Sequence, residues 1–587
     1  MLLIDFMISS FFKNSRVIAA LSVVVFGFWG VFVLSVASEY QNISGYVNAS
    51  ADGVFRGFAM IEVLFPEFWI ILLFFAGICF ITFRQFEDKS WLHMLLIGEL
   101  SLMLFFTPFL LGGFSWSPDS LWHGGAANYI PELLAGSKPI LTHYVQAYPF
   151  SFATSFFAQQ VLGIGVFNYT LYVYPLFCIV LIAETAYVFA SRMLGYRIAF
   201  ISMLMTLPSW HYFEGHVSPF SFGTILVFGI LILLTSKKRG AITLSFVGMI
   251  VLVTTHPISP IALGVFLFAA ISINIFLKIF AEHKGFIQKS SLVPIFLFLV
   301  VIWFGWTFFQ AMKLYTGVDI AVSNVLSFNF INRIIYASGF TAGGDSFIIP
   351  EIHQLSLAIY GILFFVLIIA GWDFLKVVRH KKEFDFGLVQ KRLTLALAAV
   401  IYALMGFMLF LSSGERFLLG RGLLFFLFMG FMVIATYLFS QEKAFSRVKR
   451  GVAWILILFL LCSFPVISYS KEAYNTFTPT ANFGLLFLGE NVELSNMRTI
   501  SMAMDQQLAS YADLNENFTM LPFPPDLNTT TPDVIVLRIN AYFVISMRYD
   551  LSFDNNSYTE LRANLTRNSN YNRIYANPDF EIYVRSK

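Results

Sequence analysis

Apolar residues run in long blocks through the first 470 residues, separated by short polar connections. A helix needs about twenty such residues to cross the hydrocarbon core of a bilayer. Thirteen blocks approach that length, at roughly 17–37, 65–83, 91–112, 169–191, 197–209, 219–236, 240–255, 258–280, 291–309, 354–375, 393–412, 423–440 and 451–469. The pattern predicts a polytopic α-helical membrane protein with about 13 transmembrane helices, and an odd number puts the two termini on opposite faces. Two blocks break early, one at Pro208 and one at Thr255-His256-Pro257. Irregular backbone at membrane depth persists where it is buried in protein or lines a wet cavity, so both breaks are expected to set polar side chains in an outward-facing cavity. A further apolar stretch, Ser151–Leu162, is too short to span and is expected to lie along the outer surface.

Beyond Lys471 the pattern changes, since 22 of the last 117 residues are charged against 49 of the first 470. Residues 1–470 therefore read as the membrane domain, with a large first external loop at 113–150, and 471–587 as a small external α/β domain. Within it Val534–Leu537, Tyr542–Met547 and Phe580–Val584 predict strands, and Arg498–Tyr511 a helix.

Composition agrees with a membrane protein: 58% of the 587 residues are hydrophobic and 12% charged, against about 45–50% and 25% in soluble proteins. A net charge of +3 is too balanced to suggest nucleic acid as a partner, and Cys79, Cys178 and Cys462 all fall inside apolar blocks, where they act as small hydrophobes. Charge placement is more telling than its sum. Alternate connections hold 22 Lys and Arg, while the opposite membrane loops hold Arg56, Lys138, Lys313, Arg333, Arg416 and Arg421 alone. The positive-inside rule then puts the N-terminus in the cytoplasm and the C-terminal domain outside the cell membrane. The first apolar block reads as an uncleaved anchor rather than a signal peptide. Seven N-x-S/T sequons, at Asn42, Asn48, Asn168, Asn517, Asn528, Asn555 and Asn564, all fall on the face assigned to the outside.

The polar chemistry gathers on that face. The loop GFSWSPDSLWHGGAANYIPELLAGSKPILTHYVQAYPF carries Asp119, His123, Glu132 and His143, and the stretch after Pro208 carries His211, Glu214 and His216. His256 follows at the second break, and Glu415, Arg416 and Arg421 stand in a Gly-flanked connection. An Arg fork binds phosphate bidentately and suits an anionic headgroup, although the same side chains also snorkel to lipid. His211, Glu214 and His216 offer carboxylate and imidazole ligands for Mn²⁺, Mg²⁺ or zinc, and equally the make-up of a polar interfacial loop. Asp119 suits a helix cap at Ser-Pro-Asp-Ser, and His256 suits the repair of a helix break. Trp116, Trp122, Tyr144 and Tyr148 suit an interfacial belt or a sugar-stacking platform. Glu99 and Glu184 lie deep in spans and are expected to hydrogen-bond between helices. The Thr341–Ser346 segment is a lid or a plain surface loop. No internal repeat, glycine-rich phosphate loop or nucleophile elbow is present.

Taken in order, SPDSLWHGGAANYIPELLAGSKP, the YPFSF stretch at 148–152, the ERF triplet at 415–417 and the tail NRIYANPDFEIYV resemble the polytopic C-type (GT-C) glycosyltransferases, archaeal members in particular. That resemblance implies a GT-C-like catalytic membrane domain acting on polyprenyl-phosphate-linked sugars outside the cytoplasm. The family's catalytic acid falls on Asp119, as general base for the acceptor hydroxyl. Glu214-Gly215-His216 is similar to the second acidic motif of the archaeal oligosaccharyltransferases, which implies a divalent metal (Mn or Mg) at Asp119, Glu214 and His216. Arg416 and Arg421 fall where the donor phosphate is bound, with His123, His211, His256 and Glu415 lining the cavity. A WWDYG-like acceptor motif is absent and the first motif is Asp-Ser rather than Asp-x-Asp, which points away from sequon-modifying transfer; the Asp-Glu pair of protein O-mannosyltransferases is absent too.

The expectation is a membrane glycosyltransferase that moves a sugar from a polyprenyl (dolichyl-type) phosphate to a glycan, lipid or protein acceptor in one inverting displacement. The alternative is a secondary transporter or lipid flippase, for which internal repeats and ionisable groups near the midplane are expected.

Overall fold

The computed structural model describes residues 14–45, 63–112, 123–136, 143–210, 216–236, 238–281, 292–310, five positions between 361 and 371, 386–413, 416–439, 446–469, 499–502, 519–521, 534–538, 562–567, 571–577 and 580–585. Its helices are α1 (Ser15–Gly45), α2 (Glu67–Gln85), α3 (Ser90–Phe105), α4 (Thr107–Gly112), α5 (Ile130–Leu134), α6 (His143–Ala147), α7 (Pro149–Leu162), α8 (Tyr174–Leu194), α9 (Tyr196–Thr206), α10 (Pro219–Leu234), α11 (Arg239–Val253), α12 (Ser259–Ala281), α13 (Leu292–Gln310), α14 (Phe386–Ser413), α15 (Arg416–Leu438) and α16 (Ser446–Tyr469). Among the described residues eight helices are long and apolar enough to cross a membrane: α1, α2, α8 with the turn before it, and α12 to α16. Shorter apolar helices are α3, α10 and α11. The chain is a polytopic membrane protein. Twelve of the thirteen expected blocks coincide with described helices, while 354–375 lies almost wholly outside the described residues, as do Thr341–Ser346, Trp116, Trp122 and four of the sequons.

The block expected at 91–112 is two helices, not one. The chain turns at Phe106 and resumes at Thr107-Pro108, where proline removes a backbone donor. The carbonyl left without its helical donor is that of Leu104, and the Tyr469 hydroxyl of α16 fills it at 2.7 Å; beside it the Thr107 hydroxyl donates to the Met103 carbonyl at 2.5 Å and accepts from the Trp29 indole N–H at 3.1 Å.

Inside a bilayer the apolar effect does not drive helix against helix, so packing and interhelical hydrogen bonds must. Aromatic side chains supply several. Trp69 donates to the Cys462 carbonyl at 3.1 Å, joining α2 to α16. Tyr402 donates to the Ala262 carbonyl at 2.7 Å, joining α14 to α12, and Tyr469 to the Leu104 carbonyl at 2.7 Å, joining α16 to α3. Glu99 of α3 is buried and lies beside Ser22 of α1, whose hydroxyl donates to the Ala19 carbonyl at 2.9 Å. Glu184 packs against Gly98, whose added Cβ would lie 3.2 Å from its Oε1. Arg192 and Arg392 donate at 2.8 Å to the Ile232 and Thr436 carbonyls, satisfying last-turn acceptors of α10 and α15 that have no intrahelical partner.

Helices α14 and α15 touch through backbone. A Cβ at Gly422 would come against the Gly406 Cα, within 2.6 Å of its nitrogen and 2.9 Å of the Tyr402 carbonyl.

Five strands follow: β1 (Thr499–Met502), β2 (Thr519–Leu521), β3 (Val534–Arg538), β4 (Tyr571–Asn577) and β5 (Phe580–Arg585). They form one sheet in the order β2-β1-β3-β5-β4, with β1 parallel to both neighbours and β5 antiparallel to β3 and β4. Strands β3 and β5 match expectation. The helix expected at Arg498–Tyr511 is corrected: Thr499-Ile500-Ser501-Met502 is a central strand. Its period-2 alternation with a β-branched pair is the signal that outweighed the Ala- and Gln-containing run behind it. Residues 503–511 and Tyr542–Met547 lie outside the described residues.

Gly422→Leu is expected to destabilise the protein by about 1–3 kcal/mol by overpacking the α14–α15 contact. Gly27→Leu serves as control, because a Cβ there meets nothing within 4 Å. Thermal unfolding in detergent should show a lowered midpoint for the first variant and an unchanged one for the second.

Candidate active site

The break between α11 and α12 is the centre of the site. Helix α11 ends at Val253 and α12 starts at Ser259, so the intervening backbone groups need partners other than a helical ladder. His256 supplies one. Its Nδ1 accepts the Ile258 N–H at 3.2 Å and lies 3.2 Å from the Ser259 hydroxyl. A ring that accepts at Nδ1 carries its proton on Nε2, the neutral tautomer. Thr254 supplies another, its carbonyl accepting the Phe150 N–H at 3.3 Å from the start of α7. The break thus ties the external-loop helices to the membrane helices. Trp306 of α13 makes a second tie, donating to the Ala147 carbonyl at 2.7 Å.

Helix α10 begins beside this break. Ser218 caps it by accepting the Ser221 N–H at 3.1 Å, with Pro219 in the first turn, a pairing that favours helix initiation. The Ser221 hydroxyl donates to the His216 carbonyl at 3.1 Å, holding the buried His216 over the start of α10. Gly223 permits close approach of α12: an added Cβ would meet the Ser259 side chain and lie 3.6 Å from the His256 Cβ.

Phe220 lies between a cation and an imidazole. The Arg421 guanidinium sits 5.0 Å from its ring centroid, and the His256 ring centroid is 5.3 Å away at 64°. Arg421 is aimed there by α15, which is fixed by the Gly422 contact and by the buried Trp210 donating to the Leu424 carbonyl at 3.1 Å. On the loop side His123 stacks on Tyr144 at 6.3 Å and meets Phe152 edge-on at 5.6 Å.

Of the expected site residues, His123, His216, His256 and Arg421 come together closely enough for their charges to interact. Burial pushes the His123 ring well below the ordinary histidine range, and His216 and Arg421 lower it further. Burial does the same to His256, helped by Arg421 and His123. Asp119, His211, Glu214 and Glu415 lie outside the described residues, and Arg416 opens α15 with its side chain outside them. His216 is accordingly the described member of the expected metal set, and among the described residues no three His, Cys, Asp or Glu side chains group as a metal site. Tyr148 departs from the interfacial belt: it is buried, its ring 5.4 Å from that of Tyr144. The sequence reading passes over Phe220, whose signal is the Ser-Pro helix start immediately before it.

No protein-family model and no curated protein matches the chain. Solved structures do. The chain is similar to the archaeal oligosaccharyltransferase AglB from Archaeoglobus fulgidus, in complex with an inhibitory peptide and a dolichol-phosphate, over 85% of this chain and 74% of that one, with 10% identity and a TM-score of 0.48. It is also similar to ArnT from Cupriavidus metallidurans bound to undecaprenyl phosphate, over 84% of this chain and 98% of that one, with 10% identity and a TM-score of 0.45. AglB and ArnT are membrane glycosyltransferases of the GT-C fold, the class whose motifs the sequence resembles. At these identities and scores the likeness concerns the course of the chain and gives no residue a role.

His123 and His256 set a pH dependence. Their folded-state pKa values are lowered, so below about 6.5 the unfolded chain binds more protons than the folded one and acid favours unfolding. Stability in detergent should be level above that pH and fall below it, by up to about 1.4 kcal/mol per pH unit for each ring. A His123→Gln/His256→Gln double variant should show a shallower fall when unfolding midpoints are compared from pH 7.5 to 5.

Proposed function

We propose that the protein is an integral-membrane glycosyltransferase that moves a sugar from a polyprenyl (dolichyl-type) phosphate to an acceptor outside the cytoplasm. One observation carries this reading: Arg421 lies over Phe220 beside His123 and His256, at the helix ends that the charge bias assigns to the outer face. A fixed guanidinium suits a phosphate that gains charge as the sugar leaves, and the aromatic walls raise the strength of that interaction by excluding water. The neutral His256 ring beside it has an Nε2 proton to offer without adding a second full charge.

In this reading the acceptor oxygen attacks the anomeric carbon as the bond from that carbon to the phosphate oxygen breaks, and Asp119 takes the acceptor proton. A single displacement inverts the anomeric centre. Arg421 and Arg416 hold the phosphate, and His211 and Glu415 line the cavity with the two described histidines. The carboxylate and imidazole donors of Asp119, Glu214 and His216 suit Mn²⁺ or Mg²⁺, which would supply charge neutralisation when bound. A glycan, lipid or protein serves as acceptor. The transporter or flippase reading draws on Glu99 and Glu184, ionisable groups within the spans.

Release of polyprenyl phosphate from a labelled donor in detergent separates the two, since transport has no meaning without a sealed membrane. Wild-type protein should release it in the presence of acceptor; failure to do so with hexosyl donors and all three acceptor classes would favour the transporter. Asp119→Asn should lower the rate by a factor on the order of 10²–10⁴ while the unfolding midpoint stays put. Arg421→Lys keeps the charge but loses the fork, so transfer should drop well below wild type. Chelator should suppress turnover and Mn²⁺ or Mg²⁺ restore it, with Glu214→Gln weakening the recovery; full activity in chelator would retire the metal.

A further inference from the structure

Helix α7 is amphipathic in the reverse sense of a soluble helix. Its outward side exposes large apolar side chains, Phe157 at 55% and Val161 at 83%, alongside Gln160. Its inward side carries Ser151, Ser155 and Gln159, spaced i, i+4, i+8, which the helical period sets in one row about 12 Å long. All three are buried, and Thr170 in the turn entering α8 is fully so. Ser155 lies beside Tyr169. Among the described residues the Ser151 hydroxyl, the Gln159 amide nitrogen and the Thr170 hydroxyl have no hydrogen-bond partner.

Buried polar atoms without partners are uncommon because each forfeits its hydration. Three of them, two on one row of α7 and one in the turn entering α8, call for a ligand. Its chemistry follows from theirs. Two hydroxyls and an amide carry no charge and both give and accept hydrogen bonds, which matches the hydroxyl groups of a sugar. The row also adjoins the site. Phe152 lies on the same helix and meets His123, while Gly124, next to His123, packs so closely on Thr170 that a Cβ there would collide with its hydroxyl.

We propose that the inward face of α7, with Thr170, is a subsite for the hydroxyl groups of a neutral sugar, standing beside the cationic subsite at Arg421. This rests on the glycosyltransferase reading above. It gives the site a charged half for phosphate and an uncharged half for carbohydrate.

The test uses the full chain in detergent and the variants Ser151→Ala, Gln159→Met and Thr170→Val. Each removes an unpartnered polar atom at similar volume, so unfolding midpoints should hold or rise. One arm measures binding of bare C55 polyprenyl phosphate and of its mannosyl and glucosyl phosphate esters. The other measures methyl mannoside and methyl glucoside with saturating bare polyprenyl phosphate. Wild type should bind the bare lipid, and the variants should bind it equally well. In the arm that carries the sugar, each variant should lose about tenfold in affinity, one hydrogen bond's worth. Loss confined to the first arm assigns the donor sugar, and loss confined to the second the acceptor sugar. Variants that bind every probe as wild type does would overturn the subsite while leaving the phosphate reading intact. A wild-type protein that ignores the bare lipid would overturn that reading and this proposal with it. Should a variant fail to fold, the remaining two decide.

Discussion

Backbone groups released where a helix breaks inside a membrane have no water to turn to, and the site is built on how one break is satisfied. Between α11 and α12 the Thr254 carbonyl takes the Phe150 N–H, and His256 takes the Ile258 N–H. The first bond fastens the start of α7 to the membrane helices. The second consumes the His256 lone pair at Nδ1, which fixes the ring's orientation and leaves its Nε2 proton as the group to present. Phe220 and Arg421 are arranged around that ring by elements with their own anchors, a Ser218 cap in one case and the Gly422 contact in the other. Removing the break would therefore disturb three elements at once, whereas a change in any one anchor disturbs one.

Electrostatic consequences follow from the same geometry. A guanidinium and several imidazoles share a small buried space, and the cheapest way to hold them together is to keep the imidazoles neutral. Both burial and the neighbouring cation act in that direction at His123 and His256. Among the described residues the result is one guanidinium, Arg421, with imidazoles kept neutral at His123 and His256. A cluster of three cations would bind anions less selectively and would resist the compact state.

Much of this architecture was legible in the sequence. Apolar block length located twelve of the helical segments, since crossing a bilayer imposes a length that no soluble helix must obey. The breaks at Pro208 and His256 were visible because proline and Thr-His-Pro interrupt apolar runs that otherwise continue. What escaped notice has physical causes. The split at Phe106 goes with the Tyr469 hydroxyl filling the Leu104 carbonyl that Pro108 leaves free, a tertiary contact that hydropathy does not register. Strand β1 was hidden because four residues of alternation compete with a longer helix-favouring run. The polar row on α7 escaped because Ser151, Ser155 and Gln159 are scattered singly in a stretch whose mean is apolar, and only the 3.6-residue period aligns them.

That row bears on how a reaction between a lipid-borne donor and a water-borne acceptor is housed. An interfacial helix with polar residues outward would expose them to headgroups and turn its apolar face into the protein, sealing the cavity with hydrocarbon. Helix α7 does the reverse, exposing Phe157 and Val161 and burying Ser155 and Gln159. A wall of this kind is stable against lipid on one side and keeps a hydrogen-bonding surface on the other, which the Phe150 and Ala147 tethers hold against the membrane helices. The apolar side offers a polyprenyl chain a surface like the bilayer it comes from, and the polar side offers the attached sugar a surface like water. On the proposed function, a molecule that is half hydrocarbon and half carbohydrate would meet a helix divided along the same line, with Arg421 as the described cation for its phosphate.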